Sequence, residues 1–524
     1  MKIKSIMVVG GGSSGWMTTA ALCKKFGKDI KISVLEGENS SPVGVGESTI
    51  TKFNTYLNLL ELEDKEWMPH CNATYKTSIR FTNFRDGKGE VFEYPFAGSH
   101  TEESFGKWSV VRAKYKLGPD SFCEFLNDAY WLAKHNRMTD GSHFQMSFNL
   151  KTDTAYHFDA SLLGKFLKTR FCKKATHYID DVVAVKKDEQ GYITSLVGNS
   201  GTEYSADLYV DCTGFKSLLL EKEMGSEFIS FKPWLDNDRA IATHLQYKDK
   251  TTEIRNVTNC TALNSGWSWN IPLWNRMGSG YVYSSDFISD DDAEKEFKKH
   301  VGNDDIEIRK INIKHGVRER GWVKNVVGVG LSYGFIEPLE STGLVSTHEM
   351  LDQLIETLDR RECNITGFDR DSYNYTSQLV VSGYMQFVSL HYKLSQRSDT
   401  PYWKYQTELK DWFKLSDPRL FSDRKMHFSY ENGSTSFYEN IHQMHSLAHR
   451  WDPEKHGIAY IMAGMGHVPY ADHLYHYLRN GSENNFDDNI DKVYQEYKKY
   501  AKIMEENILT LPTSYEFLKE NIYS

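Results

Sequence analysis

Lys2-Ile3-Lys4-Ser5-Ile6-Met7-Val8-Val9-Gly10-Gly11-Gly12-Ser13-Ser14-Gly15 decides the fold. Lys2 to Val9 reads as a short buried strand, Gly10 to Gly15 spells G-x-G-x-x-G, and Trp16 to Phe26 continues as a helical pattern. Between strand and helix, such a loop turns tightly and approaches a ligand closely. The helix start adds free N–H groups and a positive dipole end for a pyrophosphate. Gly10, Gly12, Ser13, Ser14 and Gly15 are therefore the expected contacts. A second strand, Ile30 to Leu35, ends at Glu36. A carboxylate about 20 residues after the glycines is placed to accept hydrogen bonds from an adenosine ribose. The glycines alone are a weak signal; strand, helix and acid in register predict a dinucleotide site.

Working outward, Asp207-Leu208-Tyr209-Val210-Asp211-Cys212-Thr213-Gly214 is a late apolar strand closing on a small-residue turn. A long dinucleotide threaded through one domain can be gripped there again, with Asp211 and Gly214 as contacts, which favours FAD over NAD. On pattern alone the segment also reads as one more buried strand and turn. The chain has 524 residues, enough for one large or two joined domains. With 62 basic against 71 acidic residues the net charge is −9, which argues against a nucleic-acid partner. Aromatics make up 14% of the chain and suit it to building planar pockets. Seven cysteines, without a CxxC pair, predict no disulfide framework, no structural metal and a reducing cytoplasm. There is no 18-residue apolar run, so no membrane span is expected. Asn480 to Asn489 is the only obvious linker.

Several further segments carry a family resemblance. Gly44-Val45-Gly46-Glu47-Ser48-Thr49-Ile50, Asp211-Cys212-Thr213-Gly214-Phe215, Trp267-Ser268-Trp269-Asn270-Ile271-Pro272 and Phe335-Ile336-Glu337-Pro338-Leu339-Glu340-Ser341-Thr342-Gly343 join the first glycine loop. Together they resemble the flavin-dependent halogenases, most of all the tryptophan halogenases. Weaker similarity runs through Tyr156 to Ala160, Asp399 to Trp403 and Leu511 to Tyr515. The resemblance implies FAD used as FADH2, molecular oxygen, a halide (chloride, bromide or iodide) and a separate flavin reductase as partner. Hypohalous acid made at the flavin must then reach an aromatic substrate.

The residue roles follow from the same resemblance. Lys76, in Tyr75-Lys76-Thr77-Ser78-Ile79-Arg80-Phe81, would hold or relay the halogen. The alternation there predicts one strand aiming the side chain inward. Glu340 would stabilise the cationic ring intermediate and take its proton. Thr342 and Gly343 would bind halide through backbone N–H groups, and Ser341 would link that loop to the lysine. Val182, Leu331 and Leu344 would touch the flavin. Trp267 and Trp269, at i and i+2, share one face of a strand and would keep organic substrate from the flavin.

The substrate pocket is where the chain departs from the family. Tyr94, Phe96 and Trp451 correspond to its aromatic walls. Tyr438 to Arg450, with His442, His445 and His449, does not reproduce the residues that hold the amino-acid end of tryptophan. The expected substrate is therefore an electron-rich, indole-like aromatic, with free tryptophan used poorly. The three histidines share one helical face, but no fourth ligand accompanies them, so surface histidines are favoured over zinc.

The expected architecture is α/β: a Rossmann-like FAD-binding domain of the aromatic-hydroxylase type, discontinuous within 1–349, and a mainly helical substrate region over 350–524. A homo-oligomer is left open. Two rivals are a flavin monooxygenase, disfavoured by Cys212-Thr213-Gly214 in place of its Asp-Gly element, and a non-catalytic flavin-binding protein, disfavoured by the presence of both Lys76 and Glu340.

Overall fold

Strand Ser5–Val9 is central in its sheet and pairs in parallel with Lys31–Glu36 on one side and Leu208–Asp211 on the other. That explains its near-continuous apolar run, since a parallel strand is covered on both faces. The computed structural model describes residues 1–38, 47–97, 102–142, 146–408, 457–466 and 486–524. The chain divides into two compact units, residues 1–73, 158–236 and 313–385 in the first and 74–157, 237–312 and 386–524 in the second. Both differ from a break near residue 350. Helix Thr342–Arg360 buries Val345, Leu351, Leu354 and Leu358 inside the first unit, whereas strands on both sides of the first unit's middle segment build the second.

The first unit is built on a six-stranded sheet, ordered Trp322–Val323, Val326–Gly328, Leu208–Asp211, Ser5–Val9, Lys31–Glu36, Thr176–Ile179. Only the pair formed by Trp322–Val323 and Val326–Gly328 is antiparallel. Helix Ser13–Phe26 follows the first strand and buries Trp16, Met17, Ala20, Ala21 and Leu22. This is the expected dinucleotide-binding topology, with the glycine loop at the carboxyl end of the central strand.

The second unit holds a seven-stranded sheet, ordered Arg309–Asn312, Arg239–Leu245, Met277–Tyr283, Gly266–Pro272, Val257–Ala262, Ser78–Thr82, Val91–Pro95. Its register aligns Phe92, Phe81, Cys260, Trp269, Gly280 and Ala242 in one row. The adjacent row, on the opposite face, is Glu93, Arg80, Asn259, Asn270, Ser279 and Thr243. Alternation therefore gives one apolar and one polar face. Lys76 does not lie in a strand continuous with Phe81: Thr74–Lys76 pairs with Ala155–Phe158, and the chain changes sheets at Thr77, whose N–H donates to the Asn256 carbonyl at 2.8 Å. From residue 342 on, the regular elements among the described residues are helices, as expected. The polar stretch read as a linker is helical from Phe486, the first residue of helix Phe486–Ile508.

Candidate active site

The glycine loop of the first unit shows which glycines serve the protein and which face a ligand. Gly10 has φ +115°, and a Cβ there would lie 2.4 Å from the Cys212 carbonyl oxygen. A Cβ on Gly15 would lie 1.9 Å from the Gly10 carbonyl oxygen, and one on Gly11 would overlap the Glu36 side chain at 2.1 Å. At Gly12 an added Cβ would meet nothing within 4 Å. Gly12 is the N-cap of helix Ser13–Phe26, whose start has no side-chain cap and no acidic residue. Free N–H groups beside open space fit the pyrophosphate of FAD. Glu36 ends its strand as expected, and one carboxylate oxygen meets His177 Nε2 at 2.9 Å, a partner the local pattern could not reveal. Val182 opens a strand just beyond, where the Asp180 N–H bonds the Glu36 carbonyl.

Asp211 serves the second grip from inside. Its carboxylate accepts from the Thr213 N–H and hydroxyl at 3.0 and 2.7 Å, and from the Leu219 and Leu220 N–H groups at 2.8 Å each. With both oxygens so occupied, Asp211 shapes the turn, and Gly214, at φ +66° with open space around it, is the part that can face a ligand. Gly330, which sequence reasoning missed, has φ +73°; a Cβ there would come within 3.0 Å of Ser14 and 3.3 Å of Thr347. It thus brings the first loop beside Leu331 and the helix that carries Leu344. Leu331 and Leu344 are half-buried. Phe215 and Phe335 pack edge to face at 5.5 Å, joining the second grip to the loop that follows.

That loop tightens into a single 3-10 turn, Pro338–Glu340, with Glu340 3% exposed. Ser341 adopts φ +58°, a left-handed conformation unusual outside glycine, and caps helix Thr342–Arg360 without a side-chain cap. The Thr342 hydroxyl donates to the Glu337 carbonyl at 2.7 Å, and a Cβ on Gly343 would touch only Phe335, at 3.6 Å. Uncapped N–H groups with this freedom suit a halide. The Ser341 hydroxyl donates to the Ser48 hydroxyl at 3.0 Å, tying the loop to Glu47–Ser48. Burial and the Asp159 carboxylate push the Glu47 carboxyl up to about 7. Gly44, Val45 and Gly46 lie outside the described residues.

In the second unit Lys76 is fully buried, its ammonium 4.9 Å from the centre of the Phe96 ring. An ammonium over an aromatic face is a cation–π contact. Tyr94 packs edge to face on Phe96 at 5.8 Å and lies beside Phe387 and Tyr460 at 6.1 and 5.8 Å. Trp267 and Trp269 are both buried, 6.1 Å apart, and share the apolar sheet face with Tyr94. A Cβ on Gly280 would lie 2.1 Å from the Trp269 ring, so this glycine is what lets the indole lie against the sheet. Trp451 and the stretch from Tyr438 to Arg450, with its three histidines, lie outside the described residues.

The family model for tryptophan halogenase matches residues 5–473. The chain belongs to the tryptophan halogenase family. It is 34% identical over 426 residues to the tryptophan 6-halogenase SttH of Streptomyces toxytricini, covering 76% of this chain and 80% of that protein. It is 30% identical to the tryptophan 7-halogenase RebH of Lentzea aerocolonigenes, with 99% of both chains covered. Among solved structures, VirX1 superposes with a TM-score of 0.86 at 40% identity, covering all of both chains, and SttH with 0.81 at 29%, covering 98% of this chain and 99% of that one. As a member of the tryptophan halogenase family the protein is a flavin-dependent halogenase, an oxidoreductase that uses FADH2 and halide to halogenate an aromatic substrate. No helix among the described residues is long and apolar enough to cross a membrane.

Proposed function

We propose that this halogenase acts on an indole-like small aromatic through a halogen carried by Lys76. Reduced FAD, when bound, supplies the oxygen chemistry that converts halide to hypohalous acid. Gly10 to Gly15, Glu36, Val182, Gly214, Leu331 and Leu344 hold the cofactor, with Asp211 stiffening the turn beneath it. The helix start at Thr342 and Gly343 binds the halide. Molecular oxygen is the oxidant, and a separate reductase working in the same reducing cytoplasm supplies the reduced flavin. All seven cysteines are free, which suits that compartment.

The observation that carries the reading is the burial of Lys76 against an aromatic face. A lysine is costly to bury unless its head group has work there, and a surface strand residue would be exposed. Lys76 presents the halogen to the ring carbon, Glu340 stabilises the positive charge that develops on the ring and accepts the displaced proton, and Ser341 steadies the loop. Tyr94, Phe96 and Trp451 sandwich the substrate, and Trp267 with Trp269 keeps it from the flavin. The test is to incubate the protein with FAD, a reductase, NADH, air and a panel of indoles and phenols in chloride, bromide or iodide. Mass shifts of one halogen for one hydrogen are expected; a gain of oxygen alone would make it a monooxygenase instead.

A further inference from the structure

His157 is fully buried in the second unit, directly opposite Thr74 in the pairing of Ala155–Phe158 with the strand that ends at Lys76. Its Nδ1 lies 3.1 Å from the Thr74 hydroxyl oxygen and its Nε2 lies 2.8 Å from that of Thr258. The Thr74 hydroxyl donates to the Pro272 carbonyl at 2.6 Å. These contacts fix the tautomer. Pro272 offers only an acceptor, so the single Thr74 proton is used there and Thr74 must accept from His157. Nδ1 therefore carries a ring proton, and in the neutral ring Nε2 is then the acceptor to which Thr258 donates. The chain Thr258 to His157 to Thr74 to Pro272 consumes the one proton each group has to give.

The chain also joins three strands that matter. Thr74 is two residues from Lys76, Thr258 lies in Val257–Ala262, and Pro272 closes the strand that bears Trp267 and Trp269. We infer that His157 is a positioning residue for halogenation: its neutral imidazole, held between Thr74 and Thr258, locks the Lys76 strand to the Val257–Ala262 strand and thereby sets the direction of the lysine head group. This rests on the reading of Lys76 as the halogen carrier. Burial first and the nearby Lys76 charge second hold the imidazole well below its ordinary pKa, in keeping with the neutral form. A ring with both nitrogens engaged has one orientation, whereas a phenyl ring of similar size keeps the Thr74 bond to Pro272 but removes the bridge from Thr74 to Thr258.

The experiment measures halogenated indole per flavin oxidised, at saturating indole, in the full-length enzyme with FAD, reduced flavin, air and bromide. His157→Phe is expected to bind FAD and consume oxygen like wild type while losing roughly ten- to a hundredfold in product per flavin, the scale of a reacting group displaced by about 1 Å. Thr258→Val should lose product in the same ratio measurement to a smaller degree, and Thr258→Ser should restore it. A merely structural role would lower folded yield and flavin oxidation together, without changing the ratio. Lys76→Ala is run beside them. If it has lost product while His157→Phe keeps the wild-type ratio, the positioning role is overturned. If His157→Phe does not fold, a wild-type ratio in Thr258→Val overturns it equally. Full product from Lys76→Ala removes the halogen-carrier reading, and the role of His157 with it.

Discussion

Glu47 holds its proton more tightly in the folded chain than in the unfolded one, because burial and the Asp159 carboxylate both oppose its charge. A carboxyl raised from 4.5 to about 7 contributes stability at low pH that is lost as pH climbs through that interval. Glu47→Gln cannot ionise and should lack this slope. Its Tm should exceed the wild-type value by more at pH 8 than at pH 5; a gap independent of pH would show that Glu47 is already charged at pH 5. Glu340, buried on its 3-10 turn, is the residue proposed for the electrostatic role. Glu340→Gln should leave FAD affinity and flavin oxidation unchanged and lower the halogenation rate by roughly 10² to 10³, as loss of one preorganised stabiliser does. A rate within twofold of wild type would assign the residue to loop structure.

Among the elements, the first glycine loop makes the sharpest separation between folding and binding. Gly12→Ala should fold with an unchanged Tm, since nothing in the protein opposes the methyl group, yet bind FAD more weakly where that methyl meets the pyrophosphate. Gly15→Ala should lose Tm, because its Cβ would fall 1.9 Å from a backbone oxygen. Flavin titration beside thermal melts separates the two, and equal behaviour would mean that Gly12 faces no ligand. This element was fully legible in the sequence because its spacing is local: strand, turn, helix and acid within one βαβ unit. The strand of Lys76 was less so. Alternation from Tyr75 to Phe81 reads as one strand, and the change of sheet shows only in distant partners, the pairing of Thr74–Lys76 with Ala155–Phe158 and the bond from the Thr77 N–H to the Asn256 carbonyl. Ser48 on Ser341, His177 on Glu36 and the chain through His157 were invisible for the same reason, since each joins residues far apart in sequence.

For the whole molecule, the interleaving of the two units explains why a boundary near residue 350 was the natural expectation. Helix follows helix after residue 342, so composition changes there, while the contacts that define each unit come from three separate stretches apiece. Substrate choice is also a property of this scale. We expect free tryptophan to show a lower kcat/KM than simple indoles, on the proposed reading that Tyr438 to Arg450 lacks the family's residues for the amino-acid end. Competition between the two in one reaction, read by mass spectrometry, checks it, and a preference for tryptophan would contradict it. The central claim is a division of labour, with flavin-binding residues in one unit and the halogen carrier, Lys76, in the other. Its most direct test records oxygen uptake and halogenated product together in Lys76→Ala. Normal flavin binding and oxygen uptake with almost no product is the predicted result; undiminished halogenation would contradict it.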